Sequence, residues 1–312
     1  MRRVRLVRLL FVFNLMIAVM MGAGIALWTP DLPRAELEGR YLARPGDLVS
    51  VAGTTIHMRD RGPKGAPAVI LIHGFGSSLH TWSAWQDRMA ATRHVISFDL
   101  PGLGLSPPDA TGDYSDRRVA EILIAIMDRA GLHQADLIGN SIGGRIAFTF
   151  AAAHPERVRK LVLVSPDGYE SPGFTYGEAP EVPLLAEALR YWLPRPLLRL
   201  SLGMAYADPN VMSDQIVSRY YDLIRAPGVR EALIDRMRQT VLVPPETLLA
   251  RVHAPTLLLW GEEDAVIPVS NAPSYARALP DVRTVLLPRM GHVPQEEGPD
   301  RSLAPVEAFL AG

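Results

Sequence analysis

Short, largely apolar runs alternate along this chain with stretches in which isoleucine, leucine and alanine recur at helical spacing, and that alternation decides the fold class. The runs Ala68–His73, His94–Asp99, Ala135–Gly139, Val158–Ser165 and Pro255–Trp260 are too short for helices, and little polar character interrupts them. Each therefore reads as a strand buried on both faces. Helical patterns separate them at Leu79–Ala91, Ser115–Ala130, Ile142–Ala153 and around Asn271–Leu279. Val282–Leu287 is a further strand, and a last helix lies near Leu303–Leu310. Leu48–Val51 and Thr55–Arg59, on either side of Ala52-Gly53, read as a hairpin ahead of the series. Strands joined by helical crossovers require a mostly parallel sheet with helices on both faces, an α/β fold.

The alternation fails between about Tyr169 and Leu249. That stretch is rich in Pro, Leu, Arg and Tyr, has helical runs without a convincing strand, and is too long for a structureless loop. It is expected to be a helical cap (169–249) over a core formed by 47–168 and 250–312. Its Leu184, Leu185, Leu189, Tyr191, Trp192, Leu193 and Met204 are packing residues by default, some of them lining a pocket beneath. Arg190, Arg195 and Arg199 read as a solvated helix face, with an acidic ligand as the alternative.

The first residues are of another kind. Arg2, Arg3, Arg5 and Arg8, in a basic flank over 1–8, precede an apolar run from Leu9 to Trp28 whose one clearly polar side chain is Asn14. Twenty residues at about 1.5 Å each span about 30 Å, the thickness of a bilayer's hydrocarbon core. Asp31, Glu36 and Glu38 follow the run, so the positive-inside rule leaves the N-terminus in the cytoplasm and carries the rest across. The expectation is a single-pass anchor at 9–28, a linker at 29–46 and a domain on the extracytoplasmic (periplasmic) side. A signal peptide cut after small residues such as Gly24 and Ala26, giving a secreted protein, is the alternative. Gly22 and Gly24 lack the full small-xxx-small spacing, so no oligomeric state is read from them.

The chemistry is concentrated in Gly139-Asn140-Ser141-Ile142-Gly143, which follows one strand and opens a helix. A serine hydroxyl is a weak nucleophile unless it is exposed beside a base, and a tight strand-to-helix turn supplies the exposure. Among eight histidines, His292 in Met290-Gly291-His292 lies in a loop just after a strand, where it can serve as the base. Asp264, after the strand Pro255–Trp260, is the candidate acid that holds the histidine's tautomer. Glu262, Glu263 and Asp167 are its rivals, and a turn or helix-capping role is its plainer alternative. His73-Gly74-Phe75-Gly76 follows the strand beginning at Ala68, so the backbone N–H groups of Phe75 and Ile142 are the candidate oxyanion donors.

These motifs, with Asp99-Leu100-Pro101-Gly102-Leu103-Gly104-Leu105-Ser106, occur in an order that resembles the α/β-hydrolase superfamily from about Leu48 to the C-terminus. The resemblance implies an eight-stranded sheet, a Ser–His–Asp mechanism at Ser141, His292 and Asp264, and a cap lining the substrate pocket. It implies no metal and no organic cofactor. Relatives acting on epoxides or haloalkanes use an aspartate where this chain has Ser141. Many carbon–carbon bond hydrolases carry tryptophan after the histidine, where this chain has Val293. The expected activity is hydrolysis of a carboxylic ester of an apolar small molecule or lipid. Carbon–carbon hydrolysis or acyl transfer with the same triad is the alternative, and a non-catalytic binding role the remote one.

Composition removes other classes. A formal net charge of −1 over 312 residues calls for no polyanionic partner, and nucleic acid is not expected. The absence of cysteine rules out disulfides, thiolate metal sites and thiol nucleophiles. There is no H-E-x-x-H spacing, and Gly102-Leu103-Gly104 lacks the third glycine of a dinucleotide loop, so it reads as a turn above the sheet.

Overall fold

All five side chains of Ala68–Ile72 are buried, which requires a strand enclosed on both faces. The computed structural model, which describes residues 28–170 and 175–312 with Phe13, Asn14 and Met16, places this strand inside an eight-stranded sheet. The strands are β1 (Leu48–Val51), β2 (Thr54–Arg61), β3 (Ala68–Ile72), β4 (His94–Phe98), β5 (Ala135–Asn140), β6 (Val158–Val164), β7 (Thr256–Gly261) and β8 (Val282–Leu287). Their order is β1-β2-β4-β3-β5-β6-β7-β8, with β1–β2 and β2–β4 antiparallel and the remaining pairs parallel.

The helices in chain order are α1 (Arg34–Tyr41), α2 (Ser83–Met89), α3 (Asp116–Arg129), α4 (Ile142–Ala153), α5 (Leu184–Ala188), α6 (Arg195–Gly203), α7 (Asp214–Ile224), α8 (Val229–Gln239), α9 (Glu246–Leu249), α10 (Ala272–Ala278), α11 (Pro294–Glu297) and α12 (Pro299–Ala311). Successive β3 side chains point to opposite faces. Ile70 and Ile72 join the core formed with α3, α4 and α10, whereas Val69 and Leu71 join Trp85 and Met89 of α2 and Leu303 and Val306 of α12. Each large side chain buried this way contributes about 1.5–3 kcal/mol. Helix starts follow local chemistry: Ser115 Oγ accepts from Arg118 N at the head of α3, and Ser213 Oγ accepts from Ile216 N at the head of α7.

Three expectations change. The single helix expected over Leu79–Ala91 is a 3-10 turn (Leu79–Trp82) followed by α2, because the Asp99 carboxylate takes the Leu79 N–H at 2.6 Å and holds the chain against the sheet. The stretch expected as a linker contains α1, whose Leu37 is fully buried. The cap contains an isolated parallel bridge, Tyr176 with Leu242, near its two ends. The expected anchor, 9–28, lies outside the described residues apart from Phe13, Asn14, Met16 and Trp28. Among the described residues, no helix is long and apolar enough to cross a membrane.

Under the loops at the C-terminal ends of the strands lies a buried polar network. Asp99 accepts from Leu79 N, from Leu105 N at 2.8 Å and from His57 Nδ1 at 2.7 Å. Ser106 Oγ donates to Asp99 O and accepts from His57 N, so the Gly102–Ser106 turn is tied back to β2 and β4. His73 Nδ1 donates to Gly74 O while its Nε2 accepts from Leu100 N at 2.9 Å, which requires a neutral ring. Burial pushes His73 down to about 4, and burial with the neighbouring Arg59 guanidinium pushes His80 down to about 3.

Both rings gain protons near pH 6.5 once unfolded, so between pH 6.5 and 4 the unfolded chain binds more protons than the native one. Stability contributed by these histidines is therefore complete above pH 6.5 and lost on acidification, offset partly by Asp167 and Asp136, whose burial raises them. Urea unfolding should show a net loss of a few kcal/mol (about 1.4 kcal/mol per unit of pH for each ring before the offset) between pH 7 and 4.5. A flat profile would contradict the neutral, buried state of these rings.

Candidate active site

β5 ends at Asn140 and α4 begins at Ile142, leaving a single residue for the turn. That residue, Ser141, has φ 57° and ψ −125°, a conformation costing a non-glycine residue about 1–3 kcal/mol. Close approach of three backbone segments enforces it. A Cβ on Gly139 would lie 2.1 Å from Gly143 O, and one on Gly143 would lie 2.3 Å from Ile72 O at the end of β3. Glycine at both positions lets the head of α4 press against the sheet, and the sequence between them has no choice but a sharp turn.

His292 follows β8 and lies in the same region. Its Nδ1 donates to Asp264 Oδ2 at 2.8 Å, both side chains being buried. The other Asp264 oxygen accepts from Val266 N and Ile267 N, each at 2.8 Å. The carboxylate is thus fixed from one side and presents its second oxygen to the imidazole, which directs Nε2 away from it. Asp264 combines both of its sequence readings, turn-capping and histidine partner. Glu262 and Glu263 are exposed. Asp167 receives no hydrogen bond from His292: its N–H donates to Ser141 O at 3.1 Å, and its carboxylate lies 3.7 Å from Arg145.

Asn140 joins the turn to the histidine loop. Its Nδ2 donates to His292 O at 3.0 Å and to Val164 O at 3.1 Å, while Oδ1 accepts from Gln295 Nε2 at 3.2 Å. In the sequence Asn140 was only the variable position of the motif. The loop after β3 also reaches the serine, since a Cβ on Gly74 would lie 3.1 Å from Ser141 Cβ. The backbone N–H groups of Phe75 and Ile142, the candidate oxyanion donors, make no hydrogen bond among the described residues.

Ser141 is 8% and His292 6% exposed, and the cap segment meets the loop that carries His292. Two consecutive glutamates of α11, unremarked in the sequence, connect cap to histidine loop. Glu297 accepts from Gly291 N at 2.6 Å and from Asp208 N of the cap at 3.0 Å. Glu296 accepts from Tyr206 OH at 2.6 Å and pairs with Arg219 of α7. His292 N itself donates to Ala205 O at 2.8 Å. No local pattern signals the bonds to the cap, because Tyr206, Asp208 and Arg219 lie 77 to 90 residues away.

Glu297→Ala should release both backbone donors and loosen the histidine loop. The expected result is a fall in kcat of about tenfold or more at little cost in KM, with partial recovery in Glu297→Gln. An unchanged kcat would show that the loop is held without it.

Comparisons with known proteins agree with this architecture. A family model described as the alpha/beta hydrolase fold matches residues 67–299. A 2-hydroxymuconate semialdehyde hydrolase of Pseudomonas putida is 33% identical over 274 residues, 85% of this chain and 94% of that protein. The dihydrolipoyllysine-residue acetyltransferase component of the acetoin cleaving system of Pseudomonas putida is 30% identical over 83% of this chain and 68% of its own length. The crystal structure of a membrane phospholipase A, a bacterial virulence factor, superposes with a TM-score of 0.73 at 27% identity, covering 97% of this chain and 98% of that one. The chain belongs to the α/β-hydrolase fold family and is a hydrolase.

Proposed function

We propose that this hydrolase cleaves a carboxylic ester through Ser141, His292 and Asp264, on an apolar or lipid-like substrate. The observation that carries the proposal is the strained Ser141 turn, bonded through Asn140 to the loop of a histidine whose Nδ1 is held by a buried carboxylate. His292 Nε2 takes the Ser141 hydroxyl proton as Oγ attacks the ester carbonyl. The N–H groups of Phe75 and Ile142 hold the resulting oxyanion. Collapse breaks the carbon–oxygen bond, His292 returns the proton to the departing alcohol, and an acyl-enzyme remains. Water, deprotonated by His292, then releases the acid and restores Ser141. Asp264 stabilises the imidazolium in both halves without itself taking a proton.

The lipid-like substrate is supported by the apolar N-terminal run, which we assign as a retained single-pass anchor with the catalytic domain on the extracytoplasmic side. The likeness to a membrane phospholipase A spans 97% of the chain, more than the 85% shared with the semialdehyde hydrolase. Carbon–carbon hydrolysis is the second reading, favoured by that 33% identity. Against it stands Val293, buried against Tyr206, Met212 and Val217 of the cap, where many carbon–carbon hydrolases carry tryptophan after the base.

Hydrolysis of p-nitrophenyl esters from acetate to palmitate by the full-length protein tests the reading. Turnover of some chain length is expected, with Ser141→Ala and His292→Ala lower in kcat by about 10³-fold or more. Asp264→Asn should lose about 10³–10⁴-fold with the fold intact. A folded protein that spares every ester but splits a vinylogous diketone would transfer the assignment to carbon–carbon hydrolysis.

A further inference from the structure

The segment joining the apolar run to the domain has no slack. Thr29 N donates to Tyr191 O at 2.9 Å, and Thr29 Oγ1 accepts from Leu193 N at 3.0 Å. Thr29 O accepts from the buried Arg230, which also pairs with Asp31. Leu32 N donates to Arg225 O at 2.8 Å, and Arg225 Nε donates to Pro30 O. Trp28 stacks on Tyr191, with ring centroids 5.7 Å apart and planes 29° apart. The chain leaves Leu9–Trp28 directly onto the cap, with no free residue between.

The cap is also where apolar side chains are exposed. Among the described residues beyond Trp28, eleven large apolar side chains are exposed, and five of them fall within 184–204: Leu184, Tyr191, Leu197, Leu200 and Met204. Leu197 and Leu200 of α6, with Met204 directly after its end, follow i, i+3 and i+7 spacing and are exposed, whereas Leu198 is buried. Leu200 is 71% exposed. The 184–204 segment carries Arg190, Arg195 and Arg199; Arg190 pairs with Glu187, Arg199 pairs with Asp214 of α7, and Arg195 donates to Ser218, which leaves a basic excess of one charge beside the face. An apolar face with a basic margin matches a bilayer with anionic headgroups.

We propose that this face, Trp28, Tyr191, Leu184 and the Leu197–Leu200–Met204 stripe of α6, docks on the lipid bilayer, so that the cap covering Ser141 sits at the membrane surface. The inference rests on the assignment of 9–28 as a membrane anchor: a spanning segment ending at Trp28, fastened within one residue to Tyr191, leaves the cap no distance to stand off. Docking places the cap, which is bonded to the histidine loop, against the phase in which an apolar ester resides.

The chain has no cysteine, so single-cysteine variants of the full-length protein allow the test. Phe13→Cys, Leu200→Cys and Lys64→Cys are labelled with a small fluorophore and reconstituted in phosphatidylethanolamine–phosphatidylglycerol vesicles carrying doxyl lipids. Lys64, ahead of β3 at the sheet end away from Ser141, is the unquenched control. Quenching at both Phe13 and Leu200 is the expected result. Quenching at Phe13 with Leu200 matching Lys64 would overturn the docking and leave the anchor standing. No quenching at either would remove the anchor and the docking together. A Leu200 label shielded from aqueous iodide yet untouched by doxyl lipid would assign the face to a second copy of the chain and overturn the proposal. Leu197→Glu with Leu200→Glu should lower turnover of a vesicle-borne ester severalfold and leave a soluble short-chain ester unaffected; equal effects on both would also overturn it.

Discussion

The close approach of two backbones at the centre of the sheet governs the rest of the site. Gly143 lies so near Ile72 O, and Gly139 so near Gly143 O, that no side chain fits at either place. The serine between them is therefore driven to positive φ at the C-terminal edge of the sheet. The same edge receives Asp264 after β7 and His292 after β8, so three loops distant in sequence meet because parallel strands end together. The conformational cost of one residue is met by the packing of the apolar β3 and β5 around it, whose large side chains are fully buried.

The cap is bonded to the histidine loop as well as packed over it. Glu296 and Glu297 each bond the cap, and Glu297 also holds the N–H of the residue before His292. The cap and the loop that carries His292 are thereby held in one arrangement. The N-terminal segment is fastened to the cap through Thr29, Asp31 and Arg230, so the position of Thr29–Asp31 and that of the cap are not independent.

Much of the fold was legible because β3, β5, β6 and β7 read as strands enclosed on both faces, and a pattern of that kind has few alternatives. The elbow was legible because Gly139, Ser141 and Gly143 each answer a local steric demand. What escaped depends on contacts distant in sequence. Leu79–Trp82 departs from a regular helix because Asp99, twenty residues on, captures its first N–H. Asn140, Glu296 and Glu297 gain their roles only when the cap and the histidine loop come together. The helix α1 lies inside the expected linker, where Pro30, Pro33 and several charges conceal a single buried Leu37. Likewise, the stretch 184–204 showed its leucines, but packing alone decides that Leu198 is buried and Leu200 exposed.

The central claim is that this turn makes Ser141 a nucleophile. The most direct measurement is labelling of the folded full-length protein with an alkyl fluorophosphonate, followed by mass analysis of the intact chain and its peptides. A single adduct on Ser141, lost in Ser141→Ala and slowed in His292→Ala, is the predicted result. A folded, catalytically active protein that takes no adduct, or takes it at another residue, would contradict the account.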